Sequence, residues 1–548
     1  MTNRTALGLA SYVIFSAIVF AQSSAPDEGI PVSDPLVIAK CGTCHARDEK
    51  GNMQRISWER TTPEGWQEAL KRMIQVNGVS LSPAEARSIV KYLSADHGLA
   101  PEEAKPIMYD TERRIHEETN IPNDHVQHAC ARCHSFARSL SWRRSAEDWR
   151  QLADMHTSRF KLPRDDEAIA FLAKAAPLHT PEWDAWTVRV RSRTQELTGR
   201  WLVTASIRGR GQYYGEMQVE PTVDGDFTTS VRLTSLNDGS SIVRSGRSVV
   251  YAGYAWRGRS KGAQAESSAD DILSEAREAL SVSPDQSTAE GRWFWGQYQE
   301  FGFDVKLRRP SSDPMLLLLN RWSLKTGSQA NRIRLIGDQF PAPATPADLN
   351  FGPGVTVRRV VSSTPSEIVA EVDVASDAAL GKRDVGFRRS VLTGAIAIYD
   401  RVDYIKIAPD SAMAAFGDQT RARGYQQFEA VGYQRGPDGK LHTADDVELG
   451  PLDAKDVAWS LEVFYSSPGS NTDFVGKISP SGFFTPAALN PNGNFDVWVV
   501  ATSKTLTGQS GKPLVGKSYM VVTVPMYILN GRQYVRDLNR WIDDGPAL

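Results

Sequence analysis

The 548-residue chain is poor in cysteine: it holds four, and all of them lie in two short motifs, Cys41-Gly-Thr-Cys44-His45 and Cys130-Ala-Arg-Cys133-His134. None is left for a disulfide elsewhere, so the rest of the chain must stand on packing alone. A charge excess is missing as well. The chain carries 63 Lys and Arg against 65 Asp and Glu, a formal net charge of −2, which offers no electrostatic footprint for nucleic acid or an anionic membrane. After the first 21 residues no run is apolar enough to span a bilayer. What remains, 41% apolar and 23% charged residues, is ordinary globular composition and points to protein or small-molecule partners. At this length three or four domains are expected.

Arg4 precedes an apolar run from Ala6 to Ala21, and Val19-Phe20-Ala21 supplies small residues before Gln22. Residues 1–21 therefore read as a secretory signal, which places the mature chain in the periplasm. The run of 16 residues is shorter than the roughly 20 a spanning helix needs, and an uncleaved N-terminal anchor is the alternative.

From residue 22 to 182 helical periodicity dominates and an all-α domain is expected. Pro63 to Met73 follows a Thr-Thr cap and has apolar positions at Trp66, Leu70 and Met73; Ser82 caps a second stretch that runs to Leu93. The same order returns after the second motif, ending in a helix over Asp165 to Ala175. This is an internal repeat. Aligning Trp66 with Trp149 places Met73 opposite His156, because each lies seven residues after its tryptophan.

Beyond Trp186 short alternating stretches are broken by Gly, Asn and Asp. Gly199–Arg208, Gln218–Thr222, Thr228–Leu236 and Ser241–Tyr251 read as antiparallel strands, with turns at Asp224-Gly225 and Asp238-Gly239. Ser268–Leu280 reads as a helical insertion, and the aromatic cluster Trp293 to Tyr298 as a domain core. Pro341–Pro346 looks like a linker. Ile368–Val374, Ile396–Ile407, Asp496–Thr502 and Tyr519–Tyr527 alternate cleanly. The expected plan is a β-barrel-like domain over 183–340 and immunoglobulin-like β domains over 341–409 and 410–548, although barrel and sandwich share one alternation pattern.

Each Cys-x-x-Cys-His motif has a direct chemical reading. Two thiols add to haem vinyl groups as thioethers, and the adjacent His45 or His134 supplies an axial nitrogen to iron. Two such motifs predict two covalently bound c-type haems. For the sixth ligand of the first haem the candidates are Met53 and Met73, with Met73 preferred because it lies on the helix after the haem loop. For the second, the repeat favours His156, followed by the adjacent Met155 and then His116, His125 or His128. A thioether raises the potential relative to two imidazoles, so electrons are expected to run from the His134/His156 haem to the His45/Met73 haem. With both iron faces filled, the domain should transfer electrons rather than catalyse. Other features are weaker. The acidic loop Gly436–Asp446 does not fit EF-hand spacing and reads as a hairpin turn. Arg208-Gly-Arg210 and Trp256-Arg-Gly-Arg259 read as solvated basic turns.

A signal segment, two haem motifs about 90 residues apart and three cysteine-free β domains together resemble the alpha subunit of quinohemoprotein amine dehydrogenase. Leu197-Thr-Gly-Arg-Trp-Leu-Val203, Tyr251 to Arg259 and Phe351-Gly-Pro-Gly-Val355 add to the likeness. The resemblance implies oxidative deamination of primary amines by a heterotrimer. A cysteine tryptophylquinone on a small γ subunit reacts with the amine, a β-propeller subunit completes the site, and an external blue copper protein or soluble cytochrome c accepts the electrons. All four cysteines here belong to haem motifs, so the quinone falls to a partner chain. Two other readings compete: a stand-alone diheme carrier or redox sensor, and a diheme peroxidase, which needs one haem with a displaceable ligand.

Overall fold

The computed structural model describes residues 28–109, 121–131, 135–192, 196–263, 271–295, 301–418, 423–465, 471–488 and 493–524. The expected signal segment, His116, Cys133 and His134 lie outside them.

The N-terminal domain uses one strand–helix unit twice. Helix α1 (Pro35–Cys41) ends on the first motif's opening cysteine. Strand β1 (Glu59–Thr61) leads into α2 (Pro63–Asn77), followed by α3 (Pro83–Asp96) and the short α4 (Pro101–Ala104). After α5 (Asp124–Val126) and α6 (Phe136–Leu140), strand β2 (Trp142–Arg144) leads into α7 (Ala146–Phe160), followed by α8 (Asp166–Ala175) and α9 (Pro181–Ser192). The copies agree bond by bond. The Thr62 hydroxyl accepts from the Gly65 amide at 3.2 Å, and Ser145 does the same for Asp148 at 3.1 Å, each satisfying an orphan amide at a helix start. Trp66 donates its indole N–H to the His97 carbonyl at 2.8 Å, and Trp149 to the Ala176 carbonyl at 3.1 Å. Those carbonyls also accept the amides of Thr61 and Arg144.

The domain is not wholly α-helical. Strands β1 and β2 pair antiparallel, Glu59 with Arg144, Arg60 with Arg143 and Thr61 with Trp142, so the two copies meet about a local dyad. Strands of three residues are too short to carry a period-two signature, which is why the sequence hides them.

Eight antiparallel strands then close a barrel: β3 (Gly199–Ile207), β4 (Gly211–Pro221), β5 (Phe227–Ser235), β6 (Ser241–Tyr251), β7 (Ala255–Gly262), β8 (Ala276–Val282), β9 (Thr288–Trp295) and β10 (Phe301–Arg308), with β10 pairing back onto β3. Trp201, Trp256, Trp293, Trp295 and Phe303 fill it. Arg244 is buried and donates to the carbonyls of Ile272 at 2.6 Å and Ser274 at 2.7 Å. The barrel is thus a packed core, as small barrels are.

Where a helix was expected over Ser268–Leu280, the described part contains β8. Its residues Ala276 to Leu280 are all buried, and the buried charges Arg277 and Glu278 fall on opposite faces, so the polar/apolar alternation that marks a half-buried strand is erased. The expected basic turn Trp256–Arg259 is part of β7, and Arg257 is buried there.

Two all-β domains follow, the first a sandwich of two four-stranded sheets and the second built from three sheets. In the third domain, Met315–Leu319, Asn331–Asp338, Glu367–Val374 and Val355–Ser363 form one sheet; Ser323–Lys325, Ser390–Tyr399, Gly381–Phe387 and Leu349–Asn350 form the other. Strand Asn331–Asp338 pairs with Glu367–Val374 across the Pro341–Pro346 stretch, so the boundary expected at 340/341 falls inside this sandwich. The alternating run Ile396–Ile407 is split between Ser390–Tyr399 and Tyr404–Ala408, the first strand of the fourth domain.

Candidate haem-binding site

The first motif continues the turn of α1. The amides of Cys44 and His45 both donate to the Cys41 carbonyl, at 3.2 and 2.9 Å, so Cys41 and Cys44, three residues apart, project to one side. Neither is in a disulfide. Burial pushes the Cys41 thiol up, with Cys44 adding to the shift; burial, then Asp165, pushes Cys130 up to about 11. Among the described residues no group of three or more His, Cys, Asp or Glu side chains is placed to hold a metal ion.

His45 lies with Nδ1 2.9 Å from the Gln54 carbonyl. A ring that donates Nδ1–H to a carbonyl keeps its Nε2 lone pair for a metal, the arrangement a ligating imidazole needs. His156 repeats this geometry on α7, with Nδ1 2.8 Å from the Leu152 carbonyl and the Phe160 ring 5.6 Å away. Met73 occupies the matching position on α2, half-buried, its sulfur accepting from Asn77 Nδ2 at 3.4 Å. Apolar side chains stay exposed just beyond both: Val76 at 65% and Phe160 at 57%. A porphyrin lying against these helix ends would cover them.

The other candidates sit differently. Met53 is fully buried in the hydrophobic core, next to Gln54, whose carbonyl engages His45. His125 has both ring nitrogens engaged, by Asp165 at 2.9 Å and Glu167 at 3.0 Å; the bond to Asp165 raises its pKa and favours the imidazolium, which cannot ligate iron. His128 is exposed and bonded to the Asp124 carbonyl at 2.7 Å. Met155 is half-buried beside His156. Cys130 rests on the turn Gln127–Ala131, packed against the small core of Val126, Phe136 and Trp149.

Sequence reasoning missed the charged residues where the two copies meet. Arg144 pairs with Glu59 and lies 3.8 Å from Asp148, and its guanidinium sits over the rings of Trp142 at 4.5 Å and Trp149 at 5.6 Å. Arg60, wholly buried, pairs with Glu103 at 2.8 Å. Glu64 and Arg257 form a buried pair at 2.5 Å that ties α2 to the barrel. A polar residue in a first helical turn reads as exposed; only the partner element buries it. The acidic loop Gly436–Asp446 builds its own turn: Asp446 accepts the amides of Gly436 at 2.9 Å and Thr443 at 3.0 Å and the Tyr404 hydroxyl at 2.5 Å.

Four family models match the chain in order. They are quinohemoprotein amine dehydrogenase A, alpha subunit, haem binding, over residues 32–170; alpha subunit domain II over 194–310; domain III over 315–400; and domain IV over 405–531. No curated protein sequence matches the chain. Among solved structures, a redesigned β-barrel is 16% identical and covers 21% of this chain and 92% of its own, with a TM-score of 0.18. Repeats EC22–24 of mouse cadherin-23 are 10% identical over 60% of this chain and 88% of that one, with a TM-score of 0.16. Likenesses this weak say nothing about function.

Proposed function

The chain belongs to the quinohemoprotein amine dehydrogenase alpha-subunit family, and from that premise we propose that it is the diheme electron-transfer subunit of a periplasmic complex that oxidises primary amines. The observation that carries the reading is the haem-binding match over residues 32–170, a span that contains both Cys-x-x-Cys-His motifs. Bound haem supplies a one-electron store, its iron alternating between Fe(III) and Fe(II).

The chain's own residues hold and orient it. Cys41 and Cys44 would hold the first haem covalently, with His45 as an iron ligand, and Cys130 and Cys133 the second, with His134. Gln54 fixes the His45 ring through its carbonyl. Met73, half-buried on α2 at the position that matches His156, would supply the sixth ligand of the first haem. His156 would close the second, its Nδ1 held 2.8 Å from the Leu152 carbonyl so that Nε2 is left for iron. A methionine ligand from Met73 would favour Fe(II) relative to a His134/His156 pair, so these residues would favour transfer from the Cys130 half to the Cys41 half.

Amine chemistry lies on another chain, since every cysteine here is spent on haem. A tryptophylquinone on a small γ subunit, completed by a β-propeller subunit, delivers electrons to this chain. A blue copper protein or a soluble cytochrome c then takes them away. No helix among the described residues is long and apolar enough to cross a membrane; the segment 1–21 directs export.

The test is to purify the tagged chain from its native host and add a primary amine to the oxidised preparation. The expected result is a co-purifying, quinone-staining small subunit and amine-dependent reduction of the haem spectrum. A lone monomer that ignores amines would overturn the complex and leave a stand-alone carrier. A high-spin signal in the oxidised or half-reduced protein would favour a peroxidase.

A further inference from the structure

Asp148 sits in the first turn of α7 with its side chain enclosed between the two copies of the haem domain, 4% exposed. Its Oδ2 is buried and has no hydrogen-bond partner. The nearest cation, Arg144 on β2, stands 3.8 Å away but is already engaged by Glu59 on β1 and stacked on two tryptophans. The loop before β1 brings Arg55, and that side chain too goes to Glu59, at 3.5 Å. Glu147 on the same helix adds a further negative charge. Two arginines thus serve Glu59 first and leave Asp148 buried and poorly compensated, the condition under which a carboxyl keeps its proton.

The first copy has no such group. Eighty-three positions before Asp148 and Arg144 stand Gly65 and Thr61, and a Cβ built on Gly65 would lie 2.2 Å from the Thr61 hydroxyl oxygen, so no carboxyl fits there. The asymmetry belongs to the second half alone. Asp148 also shares α7 with His156, eight residues or about 12 Å along the helix axis.

We propose that Asp148 is a proton-binding site coupled to the electron held in the second half of the domain. Its carboxylate takes one proton from solvent when the haem anchored at Cys130 gains one electron, and returns it on oxidation. This rests on the reading that the Cys130 half carries a haem; the electron comes from the reduced quinone of the complex, or from dithionite in the test. The sign follows from charge. An added electron makes the surroundings more negative and favours the neutral acid, so an ionised Asp148 lowers the potential of that haem. Burial, then the Glu59 charge, raises this carboxyl to about 7, so the coupling acts in the neutral range.

The experiment is a spectroelectrochemical titration of the full-chain holoprotein from about pH 5 to 9, paired with redox-difference infrared spectroscopy. One haem potential should fall as pH rises through neutrality while the other stays flat, and a protonated-carboxyl band should appear on reduction. In Asp148→Asn both the slope and the band should vanish. A slope that survives in Asp148→Asn, or is equal for the two haems, overturns the proposal. Glu59→Gln guards against a variant that fails to fold: freeing Arg144 for Asp148 should move the sloping window to lower pH, and an unmoved window overturns it. Intact mass separates the two failures, because a protein without a haem at Cys130 would refute the underlying reading first.

Discussion

The two halves of the haem domain share a skeleton and differ in what holds them. In the first, Trp66, Leu70, Ile89, Val90 and Leu93 join a core that takes in Val249, Tyr251, Tyr254 and Ala255 of the barrel. Lys91 pairs with Asp226 at 2.5 Å, Glu64 with Arg257, and the Tyr254 hydroxyl donates to the Leu99 carbonyl at 3.0 Å. In the second, Val126, Phe136, Trp149, Ala168, Leu172 and Ala176 form a small core of their own. Repetition of local bonds therefore does not repeat the environment. One half is a platform fixed to the barrel; the other is joined to it through β1 and β2, the Arg138–Glu68 pair at 2.8 Å, and α9, whose Trp186 donates to the Ala252 carbonyl of the barrel at 3.1 Å. Stability, protonation and redox behaviour should divide along the same line.

The sharpest way to test that division is to remove one anchor pair at a time. Cys41→Ser with Cys44→Ser should abolish haem attachment in the first half and leave the second loaded, read as the loss of one haem from the intact mass; Cys130→Ser with Cys133→Ser should do the reverse. Failure of either pair to change the haem content would end the two-site reading.

Next in size is Arg257→Ala, which leaves Glu64, 3% exposed, charged and unpaired. A cost of roughly 3–5 kcal/mol in denaturant unfolding is expected, confined to the half joined to the barrel. Burial alone would raise the Glu64 carboxyl, yet Arg257 outweighs it and holds the pKa below the ordinary value. Its stabilisation is therefore present at neutral pH and is lost as pH falls below about 4. The wild type should weaken on acidification through that range, and Glu64→Gln should not show that component.

Exchanging the proposed ligands is a finer probe of the inequality. Met73→His should lower the potential of the first haem towards the second, and His156→Met should raise the second towards the first, both followed by redox titration. If either variant moves its haem the opposite way, the proposed direction of electron flow fails. The smallest effects belong to the helix caps. Thr62→Ala and Ser145→Ala should each cost about 1 kcal/mol, and a clearly unequal pair in thermal unfolding would show that the cap energies, too, follow the environment.

Much of this was legible in the residues. The Cys-x-x-Cys-His motifs, the Thr62 and Ser82 caps, the Trp66/Trp149 alignment and strands such as Ser241–Tyr251 are local signals, each set by neighbours a few positions away. β8 was misread because burial on both faces removed its alternation, and the 340/341 boundary because Pro341–Pro346 looks the same inside a sandwich as between two. Met73 and His156 were paired by spacing alone, and the structure adds the carbonyl that turns the His156 ring.

The sequence by itself determined where the two Cys-x-x-Cys-His motifs lie and that the chain repeats itself around them, because those facts need only residue identity and spacing. Tertiary structure alone decided that the copies meet about β1 and β2, that Arg257 is a buried partner of Glu64 rather than a solvated turn, and that Asp148 is shut away from water while Gly65 fills its place in the other copy. Burial and charge pairing are sums over residues far apart in the chain, and no window of sequence contains them.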